Sequence, residues 1–169
     1  KKEVDVIKIN QYARIIIIIN PKKNTDKNLY FEEVRCLAFK VFSEIKTLKT
    51  VIVQNLNNEV IETEAFVEGL ALSNYYFDQF KTEKSKNKLE TIFVYNHSDI
   101  KRLAELEKLV EAVKLTRDLV NTPFSHLKAI DLAQSAKKAG IDSGFTTSIF
   151  TKKKIQSLKM GGLLAVNQG

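Results

Sequence analysis

Cysteine is almost absent. Cys36 stands alone among 169 residues, which excludes an intrachain disulfide and any thiolate-rich zinc site. A reducing compartment suits such a chain, so a cytoplasmic location is expected. Glycine is sparse as well, at positions 69, 140, 144, 161, 162 and 169. None falls in Asn20-Pro21-Lys22-Lys23-Asn24, the loop after the first apolar run, where a phosphate cradle would need backbone amides to approach an anion. Long apolar runs are missing too. The longest is Ile15 to Ile19, far below the roughly 18–20 residues a membrane-spanning helix requires. No membrane partner is expected. Lys1 to Asp5 lack the apolar stretch of a secretory signal, although the chain does not begin with Met and processing before Lys1 stays open. Asn96-His97-Ser98 matches a glycosylation acceptor, a three-residue pattern common by chance.

Positive charge is what the chain has in excess: 27 Lys and Arg against 20 Asp and Glu, a net +7. Such an excess attracts polyanions within a Debye length. The lysines are dispersed, however, over Lys22-Lys23, Lys46 to Lys49, Lys81 to Lys88 and Lys152 to Lys154. Aromatic residues fall at core-like positions and do not interleave with them as stacking platforms. Solvated lysine faces are the expectation, and specific nucleic-acid binding is not.

Apolar spacing sets the fold class. Ile15 to Ile19, ending at Asn20-Pro21, reads as a central strand buried on both faces. From Leu29 to Lys46 the apolar residues Phe31, Val34, Leu37, Ala38, Val41, Phe42 and Ile45 recur at three- and four-residue steps, laying one stripe along a helix. Val51 to Val53 reads as a strand, Glu59 to Tyr76 as a helix weakened at Gly69, and Thr91 to Tyr95 as a strand. Ser98 to Val120 carries Leu103, Leu106, Val110, Val113, Arg117 and Val120 on one face behind the capping candidates Ser98 and Asp99, and stops before Asn121-Thr122-Pro123. Alternation of strand and helix predicts an α/β fold with a mainly parallel sheet flanked by helices. After Pro123 the pattern restarts: a helix from Ser125 to Lys138 with Gly140 beyond its end, a strand over Phe145 to Phe150, a short helix over Lys152 to Lys159, and a strand over Leu163 to Val166. The expected organisation is an N-terminal α/β domain over 1–97, a long linker helix over 98–120, and the incomplete start of a second α/β domain over 121–169.

The chemistry-bearing residues do not assemble into a site on paper. Asp78, Asp118, Asp131 and Asp142 are scattered over four segments, whereas a two-metal site needs carboxylates converging within a few ångström. Asp118 follows Arg117 inside a helix and reads as an ion-pairing residue. His97 and His126 have no nucleophile and carboxylate set that spacing reveals. Cys36, beside Leu37 on the first helix, reads as a small buried hydrophobe. No catalytic, cofactor-binding or metal-ligating residue is assigned.

Two stretches are specific enough to indicate a family. Glu68 to Lys81 holds a glycine-containing helix running into Tyr75-Tyr76-Phe77-Asp78-Gln79-Phe80-Lys81. Thr116-Arg117-Asp118-Leu119-Val120-Asn121-Thr122-Pro123 is followed by Leu158-Lys159-Met160-Gly161-Gly162-Leu163-Leu164-Ala165-Val166-Asn167-Gln168-Gly169. Together they resemble the leucine aminopeptidases, or cytosol aminopeptidases, from about residue 60 onward; residues 1–59 match in pattern only. Thr116 in place of a usual alanine, Phe124 to Lys128, and Lys159 in place of a common glycine mark a divergent member. The resemblance implies an N-terminal domain like the macro domain, a connecting helix, and a larger catalytic domain with two divalent metals, zinc or manganese, in the full-length protein. It also implies a homo-oligomer, typically a hexamer, acting on the N-termini of peptides. The family's metal ligands follow the Leu-Leu-Ala-Val segment, so none lies in this chain and no cofactor is expected in it. A macro-like fold can bind ADP-ribose, but the glycine-free loop after the first strand gives no reason to expect that here, and fold likeness is no warrant for function.

Overall fold

A computed structural model describes residues 6–12, 14–57, 59–85 and 87–166. Lys1 to Asp5 and Asn167-Gln168-Gly169 lie outside them. Two compact units divide the chain, Lys1–Asp118 and Leu119–Gly169.

The first unit opens with β1 (Val6–Gln11) and β2 (Arg14–Ile19), paired antiparallel with Val6 opposite Ile19 and Gln11 opposite Arg14. A two-residue connection suffices to join antiparallel strands, and one face of such a pair can remain in water. Here that is what happens. Val6, Ile17 and Ile19 pack against the core, while Ile7, Ile9 and Ile18 stay 41–47% exposed. The isoleucine run is therefore one half of a hairpin with two unlike faces, not a central strand covered on both sides. Its partner shows only the short alternation of Ile7 and Ile9 with Lys8 and Asn10, the pattern of a half-buried strand but too brief to stand out.

Helix α1 (Lys27–Ile45) begins where Asp26 accepts hydrogen bonds from the amides of Asn28 and Leu29, occupying two donors that a helix start leaves free. Its buried stripe is Val34, Leu37, Ala38, Val41, Phe42 and Ile45. Cys36 falls off that stripe and is exposed, which corrects its reading as a buried hydrophobe. Strand β3 (Thr50–Gln54) pairs parallel with β4 (Thr91–Tyr95), Thr50 opposite Thr91. Helix α2 (Val60–Ser73) lies against α1, and Ala38, Val41, Phe42, Ile45, Val53, Leu70 and Leu89 form one core. Gly69 makes that packing possible: a β-carbon there would sit 2.8 Å from the Ala38 β-carbon and 2.8 Å from the Arg35 carbonyl oxygen. The α/β class holds, but among the described residues strand pairing forms two separate pairs, one antiparallel and one parallel, in place of one mainly parallel sheet.

Helix α3 (Ile100–Asn121) buries only Val110. Polar groups fasten it. Near its start the Arg102 guanidinium meets Glu64 of α2. Near its end Arg117 donates to the Leu72 carbonyl at 3.1 Å, and the Tyr75 hydroxyl donates to Asp118 at 2.9 Å.

In the second unit, α4 (Ala129–Ser143) starts four residues later than the spacing suggested and runs through Gly140. The turn at Pro123, whose carbonyl accepts from the amides of His126 and Leu127, delays its start, and the Lys128 amide donates to the Asp131 carboxylate at 2.9 Å. Gly144, at φ 77°, is the left-handed residue that ends it. Gly140 is needed for space instead, since a β-carbon there would meet Thr147 at 2.7 Å. Phe145 to Phe150 forms no strand. After α5 (Lys152–Ser157), Gly161–Val166 forms the short helix α6. A strand needs a ladder partner, and no neighbouring strand is present among the described residues of this unit. Backbone groups are satisfied locally instead, as where the Leu164 amide donates to the Met160 carbonyl.

Candidate functional site

Parallel strands leave their chemistry at their carboxyl ends, where loops and helix starts gather. At the ends of β3 and β4 lies a cavity of about 190 Å³, lined among others by Asn55, Thr63, Tyr95, Asn96, His97 and Ser98. Two of its polar side chains are committed, because the Thr63 hydroxyl and the Asn55 amide both donate to the Glu59 carbonyl. Asn96 takes a left-handed conformation at φ 53°, the backbone kink that turns the chain from β4 toward His97.

Beside this cavity three charged or titratable groups converge from different elements. Glu64, on the first turns of α2, is gripped by Arg102 through two hydrogen bonds, 2.7 Å from Nε and 2.6 Å from Nη2. The carboxylate holds the guanidinium more firmly protonated than usual. His97 arrives on the loop from β4. Its Nδ1 accepts the Asp99 amide at 3.2 Å, so the neutral ring carries its hydrogen on Nε2. That atom is buried without a hydrogen-bond partner, 3.6 Å from Glu64 Oε1, and the ring is only 3% exposed.

A general acid or base must reach its substrate within hydrogen-bond distance. The unpartnered Nε2 of His97 is buried and faces the Glu64 carboxylate, which Arg102 already holds. Through Arg102 and Glu64 the cluster ties the start of α3 to α2. Sequence reasoning did not find Glu64 or Arg102: 38 positions separate them, and no local spacing announces a pair that only tertiary packing creates.

The other candidate carboxylates stay apart. Asp78 accepts the Ser85 amide at 2.9 Å, Asp118 the Tyr75 hydroxyl, and Asp131 the Lys128 amide, while Asp142 pairs with Lys138 at 2.6 Å. His126 is exposed in the turn after Pro123, with Nδ1 2.9 Å from the Ser125 hydroxyl. Among the described residues no three His, Cys, Asp or Glu side chains come together as a metal would require. These residues do not fit a paired-metal centre.

Comparison with known proteins supplies what the site does not. The sequence profile of the cytosol aminopeptidase family, catalytic domain, matches residues 114–169. A probable cytosol aminopeptidase of Clostridium perfringens is 33% identical over 168 residues, covering 91% of this chain and 34% of the relative. One from Sulfurihydrogenibium sp. is 31% identical over 174 residues, covering 96% and 34%. One from Chlorobaculum parvum reaches 62% identity over 53 residues, 31% of this chain. Among solved structures, a tomato leucine aminopeptidase mutant superposes with a TM-score of 0.71 at 18% identity, over 91% of this chain and 33% of that one. The bottromycin maturation enzyme BotP in complex with Mn gives 0.72 at 17%, over 90% and 34%; at such identities the likeness concerns the fold. The chain spans about a third of the length of the curated relatives it matches. Matches that run nearly end to end along this chain, with the catalytic-domain profile at its C-terminal third, place it in the cytosol aminopeptidase family.

Proposed function

We propose that this chain is the front part of a leucyl aminopeptidase, a hydrolase that removes N-terminal residues, leucine among them, from peptides. The observation that carries this reading is the catalytic-domain profile over residues 114–169, preceded by a unit whose relatives are aminopeptidases. In this reading residues 1–97 are the N-terminal domain, 98–120 the linker helix, and 121–169 the beginning of the catalytic domain. Two divalent metals, zinc or manganese, supply the activated water and the polarised carbonyl in the longer protein. No residue of this chain is assigned a step in that chemistry. A cytoplasmic hexamer is the assembly that family resemblance suggests.

A second reading is a non-catalytic module serving assembly or partner contacts, in which the longer protein lacks the downstream ligand set. One comparison separates the two. The 169-residue chain and a protein extended through the natural C-terminus are assayed on leucine p-nitroanilide with manganese, zinc or magnesium, and metal uptake is followed by calorimetry. The extended protein is expected to turn over and bind metal, and the short chain to do neither. Turnover by the short chain refutes the placement of the active centre, and an inactive, metal-free extended protein favours the module. Weak, salt-sensitive DNA binding is a third reading; a mobility shift at low salt that is lost near 0.2 M, roughly where nonspecific contacts fade, would support it, and one that persists there would overturn the expectation that specific nucleic-acid binding is absent.

A further inference from the structure

Helix α3 is long but thinly attached. Of its 22 residues only Val110 is buried, whereas α1 buries Val34, Leu37, Ala38, Val41, Phe42 and Ile45 within 19. Leu103, Leu106 and Val110 of α3 line a groove of about 480 Å³ together with Val67 and Ala71 of α2 and Ile92 of β4. Apolar side chains separated by open space forgo the close contacts that hold packed helices together.

Polar groups attach the helix at two places, and the two are unequal. At the front Arg102 grips Glu64, close to where the backbone itself tethers the helix. Only Asn96 to Asp99 join β4 to α3, with Asn96 in a left-handed conformation at φ 53°. At the rear, two consecutive residues engage one segment. Arg117 donates to the Leu72 carbonyl at 3.1 Å and lays its guanidinium over the Tyr75 ring, 5.4 Å from the ring centre, while the Tyr75 hydroxyl donates to Asp118 at 2.9 Å. Arg117 lies roughly 22 Å beyond Arg102 along the helix, at 1.5 Å per residue. The front ion pair therefore has almost no lever arm about the Asn96 to Asp99 loop, and the rear contacts have a long one.

From this arrangement we propose that α3 is a hinged arm: it pivots at Asn96 to Asp99, is latched by Arg117 and Asp118 on the Leu72 to Tyr75 segment, and opens the groove when the latch releases. Opening uncovers one buried side chain, Val110, so it belongs with the local transitions of low free energy. The core of Ala38, Val41, Phe42, Ile45, Val53, Leu70 and Leu89 contains no residue of α3 and stays intact while the arm moves. The device stands whether or not the proposed hydrolysis is correct.

Hydrogen exchange followed by mass spectrometry on the native 169-residue chain tests it. A helix freed from its neighbours is marginal in water, so each opening is recorded as lost amide protection. Amides from Ala104 to Thr116 are expected to exchange at least about tenfold faster than those from Val34 to Ile45. Arg117→Met removes the donor to Leu72, and Tyr75→Phe removes only the hydroxyl that reaches Asp118. Each should speed exchange over Lys108 to Thr116 by roughly fivefold, the effect of losing one hydrogen bond, and leave α1 unchanged. Arg102→Gln should act on the turn around it and spare that far stretch. Equal protection of α3 and α1 in the parent chain overturns the arm. Latch variants that loosen α1 as much as α3 overturn it as well, since the contacts would then serve general stability. Arg102→Gln loosening the far stretch as much as Arg117→Met refutes the hinge. Should Arg117→Met fail to fold, Tyr75→Phe decides alone.

Discussion

Replacing Gly69 with alanine tests the packing on which the first unit depends. The new β-carbon would stand 2.8 Å from the Ala38 β-carbon, 2.8 Å from the Arg35 carbonyl oxygen and 2.9 Å from the Arg35 α-carbon. Two of those atoms are backbone, so a rotamer change cannot relieve the contact and α1 and α2 must separate. Overpacking of this kind costs about 1–3 kcal/mol, and the backbone clash argues for the upper end. Alanine recovers roughly 1 kcal/mol over glycine in a helix interior. The net loss is about 2 kcal/mol, a fall in melting temperature of roughly 6–12 °C for a unit of this size. Circular dichroism at 222 nm measures it, with urea unfolding as the companion assay, in which the midpoint drops and the slope is unchanged. Gly162→Ala is the control, since a β-carbon there meets nothing within 4 Å, and it should be neutral or stabilising. Adding Ala38→Gly to Gly69→Ala should restore part of the loss, not all, because the Arg35 backbone remains in the way. A Gly69→Ala chain that melts at or above the parent temperature refutes the close approach of the two helices.

Three further outcomes follow from the described geometry. Ile17 faces the core and Ile18 faces water, so Ile17→Asp should destabilise by roughly 2 kcal/mol or more and Ile18→Asp by less than about 1 kcal/mol; equal effects in thermal melts would remove the two-faced hairpin. Burial, a hydrogen bond to Glu62 and nearby carboxylates push the Tyr30 hydroxyl up to about 12. The folded state thus keeps a proton that the unfolded chain releases near pH 10. That contribution is complete below about pH 10 and disappears as pH rises through the folded value, so Tyr30→Phe should flatten the alkaline decline of urea midpoints; an unchanged decline rejects the contact. Glu64→Gln and Arg102→Gln should each lower the melting temperature, and the double variant should lose less than the two losses added, because one interaction accounts for both; strict additivity would show that the pair does not hold α3.

The stripe of α1 was legible because Val34, Leu37, Ala38, Val41, Phe42 and Ile45 obey one helical period and are all buried. The strands at Val51 and Thr91 were legible for a similar reason, as short β-branched runs. The hairpin was not, since Ile15 to Ile19 reads alike whether one face is covered or both, and only the pairing with Val6–Gln11 decides. The end of α4 was misplaced because Gly140 and Gly144 look alike in sequence, while one is a matter of space and the other of a left-handed backbone. Phe145 to Phe150 and Leu163 to Val166 have the composition of strands, but a strand is a property of two segments and composition speaks for one. At the site, the Glu64–Arg102–His97 cluster depends on tertiary contact between residues far apart in the chain, which no local spacing announces. Family membership was legible from Thr116 to Pro123 and the Met160-Gly161-Gly162-Leu163-Leu164-Ala165-Val166 run, where order along the chain matters more than geometry.

The two strand pairs also set two clocks. Gln11 and Arg14 are neighbours across a two-residue connection, so the hairpin can close within about 1–10 μs, before much else has formed. Thr50 must find Thr91, and parallel pairing of that kind waits until the intervening chain has been gathered in. The core residue Val53 lies within this late pairing and Leu89 just ahead of it, so substitutions there should act on the rate at which the chain folds, while changes at the hairpin tip near Tyr12 leave that rate untouched.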